Sequence, residues 1–95
     1  VMISQFRANT FFMGAYSVHP EFGVTDPYVL AAGIKRKMIQ SATRTILVAD
    51  YTKFGKTSKS VVCSLDQVDR VITDDKVDGE VVKILNAYGC TVDIV

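Results

Sequence analysis

Lysine, arginine and aspartate side chains, with the backbone freedom of glycine, carry most of the chemistry this chain could do, and the lysines are unevenly spread. Between Lys35 and Lys59 lie seven bases (Lys35, Arg36, Lys37, Arg44, Lys53, Lys56 and Lys59) and one acid, Asp50. That stretch carries +6, which leaves −5 for the remainder of a chain whose net charge is +1. Ammonium and guanidinium groups that converge at a crevice suit a phosphate or a carboxylate. The competing reading is a solvated basic face. Gly55 follows Lys53 and Phe54 and lets the backbone turn closely around a ligand. Asp50 can orient a lysine or accept hydroxyl hydrogen bonds, or it can cap the turn that follows. Tyr51 and Phe54 can wall a ligand or pack on their own scaffold.

Other chemistries lack their residues. His19 is the single histidine, and Cys63 and Cys90 are not spaced as a zinc pair, so no metal is expected. No Gly-x-Gly-x-x-Gly or phosphate-loop lysine motif occurs, and no cofactor is expected. Ser17, Ser58 and Ser60 have no nucleophile signature around them. Asp74, Asp75 and Asp78 could meet a hard cation, but acids at a helix start already interact favourably with its dipole. Two cysteines in apolar surroundings read as reduced and buried.

Elements that could bring the basic groups together follow from the apolar pattern. Asn9 to Met13 reads as a buried strand ended by Gly14, followed by a loop from Ala15 to Thr25. Asp26-Pro27 reads as a helix start, with Asp26 as the cap and Pro27 in the first turn. Leu30, Ile34 and Met38 then form a stripe widened by Ile39 and Ala42, and this helix should end near Thr43. Thr45 to Ala49 is a strand with branched residues on both faces, as in a sheet covered on both sides. The loop Tyr51 to Lys59 follows, then a short strand or extended connection over Ser60 to Leu65. Val71 and Ile72 anchor a further strand, Asp78 caps a last helix, and Gly89 ends it. Thr91 to Val95 is the final strand.

This order predicts an α/β fold with a mostly parallel, Rossmann-like sheet flanked by helices. Ninety-five residues allow one small domain. Ligands of such sheets bind at the carboxyl ends of the strands, where the basic loop leaves Asp50 and the helix bearing Lys35 and Arg36 begins. Val1 to Ala8 is neither capped nor cleanly patterned, and so abrupt an opening is expected of a fragment. No apolar run approaches the ~20 residues that span a bilayer, and VMISQFRANT does not read as a signal peptide. A cytoplasmic protein without membrane contact is expected.

Ala49-Asp50, Lys53-Phe54-Gly55 and Ile72-Thr73-Asp74 stand in the order and spacing of the C-terminal effector domain of DeoR-family transcriptional regulators. FFMGA resembles the strand before that family's Gly-Ala-Asn-Gly loop. GVTDP and IKRKMI are similar to its Gly-Leu-Thr-Thr-Pro and Val-Lys-Arg-x-Met-Ile elements. The likeness runs from about Asn9 to Val95. It implies an effector-binding domain, residues 1–95, for a phosphorylated sugar, in a regulator that represses a sugar-utilisation operon.

By that resemblance Lys53 and Lys35 contact the phosphate with Arg36 assisting, and Gly14 and Ala15 present backbone. Tyr16 stands in the sugar loop, Asp50 shapes its loop or meets a hydroxyl, and Phe54 belongs to the Lys-Phe-Gly element. Operator DNA would be read only by a helix-turn-helix preceding Val1, together with a first Gly- and Thr-rich phosphate loop. Relatives are usually homo-oligomers.

The family fold resembles ribose-5-phosphate isomerase, whose catalytic glutamate registers with Lys35. Its Asp-Gly-Ala-Asp loop registers with Met13-Gly14-Ala15-Tyr16, where both acids are gone. Isomerisation needs a carboxylate base, so a sensor without catalytic residues is expected rather than an active isomerase relative, which is the main rival. Direct nucleic-acid binding by the +6 stretch is the second rival, and it would show as steep salt dependence. Tyr16-Ser17 in place of Asn-Gly, and Thr52 in place of serine, depart from the family pattern.

Overall fold

The computed structural model describes residues 8–95. The expectation about the opening segment concerns Val1 to Ala8, of which residues 1–7 lie outside the described ones. Ala8 starts the first strand.

Four strands form a parallel sheet: β1 (Ala8–Gly14), β4 (Ala42–Val48), β6 (Arg70–Thr73) and β7 (Thr91–Ile94), in spatial order β1-β4-β6-β7. The register sets Met13 beside Leu47, Leu47 beside Val71, and Val71 beside Val92. Met13, Leu47 and Val71 are almost wholly buried and form the floor of the core. Thus the apolar runs seen in the sequence form one parallel sheet, with the exception of Ser60 to Leu65.

A second layer is the departure. The segment read as a loop, Ala15 to Thr25, contains a hairpin: β2 (Ser17–His19) pairs antiparallel with β3 (Gly23–Asp26). Then β5 (Ser60–Cys63) pairs antiparallel with β3 and lies outside the parallel sheet. Val18, Val24, Val62 and Cys63 of this layer join Met13, Leu47 and Val71 in one core cluster. Strands of three or four residues present too few alternations to reveal themselves in a polar stretch. Gly23 turns the hairpin at φ 77°, and its backbone lies so near Cys63 that any side chain would collide.

The crossover helix α1 (Val29–Ser41) begins two residues beyond Pro27, because Asp26 is retained by β3 in its pairing with Ser60. Asp26 is therefore not the helix cap that was expected: Tyr28 stands at the N-cap without a side-chain cap bond, and Asp26 instead accepts from the Tyr28 N–H at 2.9 Å in the turn before the helix. The helix packs on β5, β4, β1 and β3. Its buried positions are Ala32, whose small side chain permits close approach, and Ser41 at its end, whereas Leu30 (83%) and Ile34 (60%) are exposed. The first half of the stripe, Leu30 and Ile34, therefore faces outward, while Met38 is half-buried and Ile39 packs against the core. The strand begins at Ala42 directly after the helix, without the turn that an end near Thr43 would leave.

In the last helix, α2 (Gly79–Ala87), local chemistry and structure agree. Asp78 accepts from the Glu80 N–H at 3.0 Å. Gly89 at φ 92° follows the end, and the Cys90 N–H reaches back to the Leu85 carbonyl at 3.0 Å. Leu85 closes the core.

The sheet is not covered on both sides by the described residues. Phe12 and Val48, on the face opposite Met13 and Leu47, are 62% and 45% exposed. The branched residues on both faces of β4 foretold a double cover that residues 8–95 supply fully on one face and only in part on the other, where Ile46 is buried while its neighbours Phe12 and Val48 are not. No helix among the described residues is long and apolar enough to cross a membrane.

Candidate functional site

The carboxyl ends of β1 and β4 lie side by side, with Gly14 paired to Val48. Above β1, an open cavity of about 310 Å³ is lined by Gly14, Ala15, Tyr16, Lys35 and Lys53. Two backbone segments thus deliver one cation each: α1 contributes Lys35 and the loop after β4 contributes Lys53.

Lys53 ends a single 3-10 turn, Tyr51–Lys53. Asp50 caps that turn, accepting from the Thr52 N–H at 2.9 Å and from the Thr52 hydroxyl. Those two bonds, helped by Lys53 and Lys56, outweigh burial and hold the Asp50 carboxyl below the usual carboxylate value. Its other oxygen lies 4.0 Å from the Lys53 ammonium, a half-exposed pair that water screens. The rest of the loop is tied to the hairpin layer. The Gly55 N–H donates to the Val18 carbonyl at 2.8 Å, and the Ser58 N–H to Thr25 Oγ1 at 2.9 Å. Ser17 Oγ stands 2.6 Å from both Thr25 Oγ1 and Ser58 Oγ. These hydroxyls, buried at Ser17 and Thr25 and half-buried at Ser58, fix where the Lys53 loop returns.

Lys35 is held more tightly. Its Nζ lies 2.9 Å from Asp26 Oδ2, donates to the Gly14 carbonyl at 3.2 Å, and lies 5.7 Å from the centre of the Tyr16 ring. Asp26 has no solvent exposure. Burial by itself would raise its carboxyl, but the Lys35 ammonium and the Tyr28 N–H prevail and keep it below the usual value. Tyr16 meets Tyr28 edge to face, ring centres 5.8 Å apart, on the same rim.

Of the eight residues the sequence singled out, Gly14, Ala15, Tyr16, Lys35 and Lys53 line this cavity, and three stand elsewhere. Arg36 donates to the Val61 carbonyl and lines a separate crevice with Gln40 and Gln67. It points away because it is one helical step, about 100°, round from Lys35. Phe54 pairs through its backbone with Val18 and packs against the core, beside Val81 and Leu85. Asp50 lines a neighbouring cavity of about 190 Å³ over the ends of β4 and β6, with Asp74 and Thr73. It caps its own turn, as one reading of the sequence expected, and also lies 4.0 Å from the Lys53 ammonium. Lys56 and Lys59 are exposed.

Asp26 was missed as a member of the site. The signal was present, an acid nine residues before Lys35, but its role as a helix cap accounted for it at the level of the sequence. Among the described residues, no group of three or more histidines, cysteines or acids is placed to hold a metal ion. His19 Nδ1 accepts from the Glu21 N–H at 3.0 Å within its own turn. The arrangement can hold an anion between Lys53 and Lys35. The carboxylate nearest Lys35, Asp26, is committed to Lys35 and Tyr28.

Comparison with known sequences agrees with this architecture. The family described as "DeoR C terminal sensor domain" matches residues 1–75. The HTH-type transcriptional regulator GlpR of Haloferax volcanii is 33% identical over 81 residues, 85% of this chain and 32% of that protein. The uncharacterized HTH-type transcriptional regulator YulB of Bacillus subtilis is 32% identical over 83 residues, 87% of this chain and 32% of that protein. The HTH-type transcriptional repressor GlcR of Bacillus subtilis is 33% identical over 72 residues, 76% of this chain and 28% of that protein. The chain spans about a third of the length of these relatives. They are named as transcriptional regulators, not as enzymes.

Proposed function

The chain belongs to the DeoR C-terminal sensor domain family, and from that premise we propose that it binds a sugar phosphate on behalf of a DNA-binding regulator. The phosphate lies against Lys53 and Lys35, and the sugar against Gly14, Ala15 and Tyr16. Asp50 acts from the adjoining rim, while Arg36 and Phe54 support the segments that carry the two lysines. The full regulator acts in the cytoplasm as a homo-oligomer and represses a sugar-utilisation operon. It reads operator DNA through a separate helix-turn-helix domain. Ligand shifts DNA occupancy because it binds the DNA-competent and DNA-released conformations unequally.

One observation supports this reading above the others: two lysines from separate segments line one cavity at the carboxyl rim of a parallel sheet, where ligands of such sheets bind. The test is Lys53→Ala in the full-length regulator, after a thermal-shift screen of sugar phosphates has identified those that stabilise it. The variant should bind operator DNA normally and fail to release it when the stabilising sugar phosphate is added. Release at wild-type concentrations would refute the role given to Lys53.

A further inference from the structure

We infer that Asp26 is a positioning residue of the anion site, holding Lys35 so that one ammonium N–H is left directed at the ligand. The inference rests on the reading of the cavity as a sugar-phosphate site, and it adds a residue that does not line that cavity.

A lysine ammonium has three N–H donors. Two are spent within the protein, on Asp26 Oδ2 at 2.9 Å and on the Gly14 carbonyl at 3.2 Å. One remains for the cavity that Lys35 lines. Asp26 is suited to fix it because Asp26 is itself fixed. Its backbone ends β3 in register with Ser60, its Oδ1 accepts from the Tyr28 N–H at 2.9 Å, and its side chain is fully buried. The Tyr28 N–H needs only Oδ1, so Oδ2 is free to be given to Lys35. The ion pair therefore joins the ends of β1 and β3 to the second turn of α1, the three elements that meet beneath the cavity.

The arrangement has a consequence opposite to simple charge counting. Removing the Asp26 charge makes the cavity more positive by one unit, and Coulomb attraction alone would then tighten anion binding. Positioning predicts the reverse, because an untethered Lys35 must be ordered by the ligand on each binding event.

The test uses Asp26→Asn, which keeps an oxygen for the Tyr28 N–H and replaces the Lys35 acceptor with an amide. Asp26→Ser serves as a second, smaller replacement if the first does not fold. Inorganic phosphate is titrated into the full chain and its variants, with folding checked by urea denaturation. Loss of one oriented charge-assisted bond should weaken phosphate by about tenfold. Lys35→Met should weaken it similarly, and the double variant should be no weaker than either alone. Unchanged or tighter binding by the Asp26 variants overturns the inference, as does an equal further loss when they are combined with Lys35→Met. Should phosphate fail to bind the wild-type chain, the cavity reading fails and the positioning of Lys35 is judged separately. Its ammonium 15N–1H signal should be observable through slow exchange in the wild type and lost in Asp26→Asn. Rapid exchange in the wild type overturns the inference.

Discussion

Alanine at Gly23 should damage the hairpin layer far more than the addition of one methyl group suggests. The backbone there has φ 77°, and an added Cβ would lie 2.2 Å from the Cys63 carbonyl oxygen and 2.9 Å from Ser64 Cα. Neither atom can rotate away, because both belong to the backbone of β5 and its exit. The left-handed conformation costs a non-glycine residue roughly 1–2 kcal/mol, and displacing packed backbone adds about 1–3 kcal/mol. A loss of about 2–5 kcal/mol would be a large part of the ~5–14 kcal/mol expected of a domain this size. With a urea slope of about 1–2 kcal/mol/M, the unfolding midpoint should fall by at least 1 M. Gly79→Ala is the control. It opens α2 where nothing lies within 4 Å of the added atom, so it should be neutral or slightly stabilising. A Gly23→Ala midpoint indistinguishable from wild type would refute the close approach of β3 to β5.

Further outcomes can be checked on the same protein. Burial above all, with the nearby charge of Asp66, pushes the Cys63 thiol up to about 12, and burial raises Cys90 as well. Both should resist a thiol reagent at pH 8 in the folded protein and react promptly in urea; fast native labelling of Cys63 would contradict its burial. A thiol raised in this way contributes stability below its unfolded value of about 8.5 and loses it as pH climbs toward 12. Asp26 has the opposite sign. Its folded carboxyl lies below the unfolded value of about 3.9, so its contribution is complete above that range and is lost as pH falls through the folded value. Urea midpoints measured from pH 6 to pH 3 should drop, and Asp26→Asn should flatten part of that drop. Thr73 Oγ1 is buried without a hydrogen-bond partner among the described residues. Thr73→Val should therefore be neutral or stabilise by about 1 kcal/mol, and a substantial loss in thermal unfolding would reveal a partner.

How much of this was legible depends on how far apart the interacting groups lie in the chain. The Asp78 cap and the Gly89 terminator bond to groups a few residues away, and both were readable from residue types. The apolar runs of β1, β4 and β7 and the branched pair of β6 announced strands, and their alternation with helices announced a parallel sheet. Likewise the two lysines followed from the loop after β4 and the helix after the hairpin. The likeness of the Ala-Asp and Lys-Phe-Gly elements to a known family supplied their expected role.

Other features were beyond the reach of local pattern. Leu30 and Ile34 have helical spacing and still face outward, because periodicity identifies an apolar side without saying which side a neighbouring layer will cover. Arg36 looked like an assistant to Lys35 until the helix phase turned it toward Val61.

Residue type and short-range spacing thus determined the strands of the parallel sheet, the ends of α2 and the identity of the cationic groups. Each of those depends on forces acting over a few residues. Only the tertiary structure decided that β5 joins the hairpin, that Phe12 and Val48 stay exposed on one sheet face among residues 8–95, and that Asp26 secures Lys35. Those partners are separated by loops and helices. Close packing and the need to pair every buried charge and backbone group select among many partners that local sequence leaves equally available.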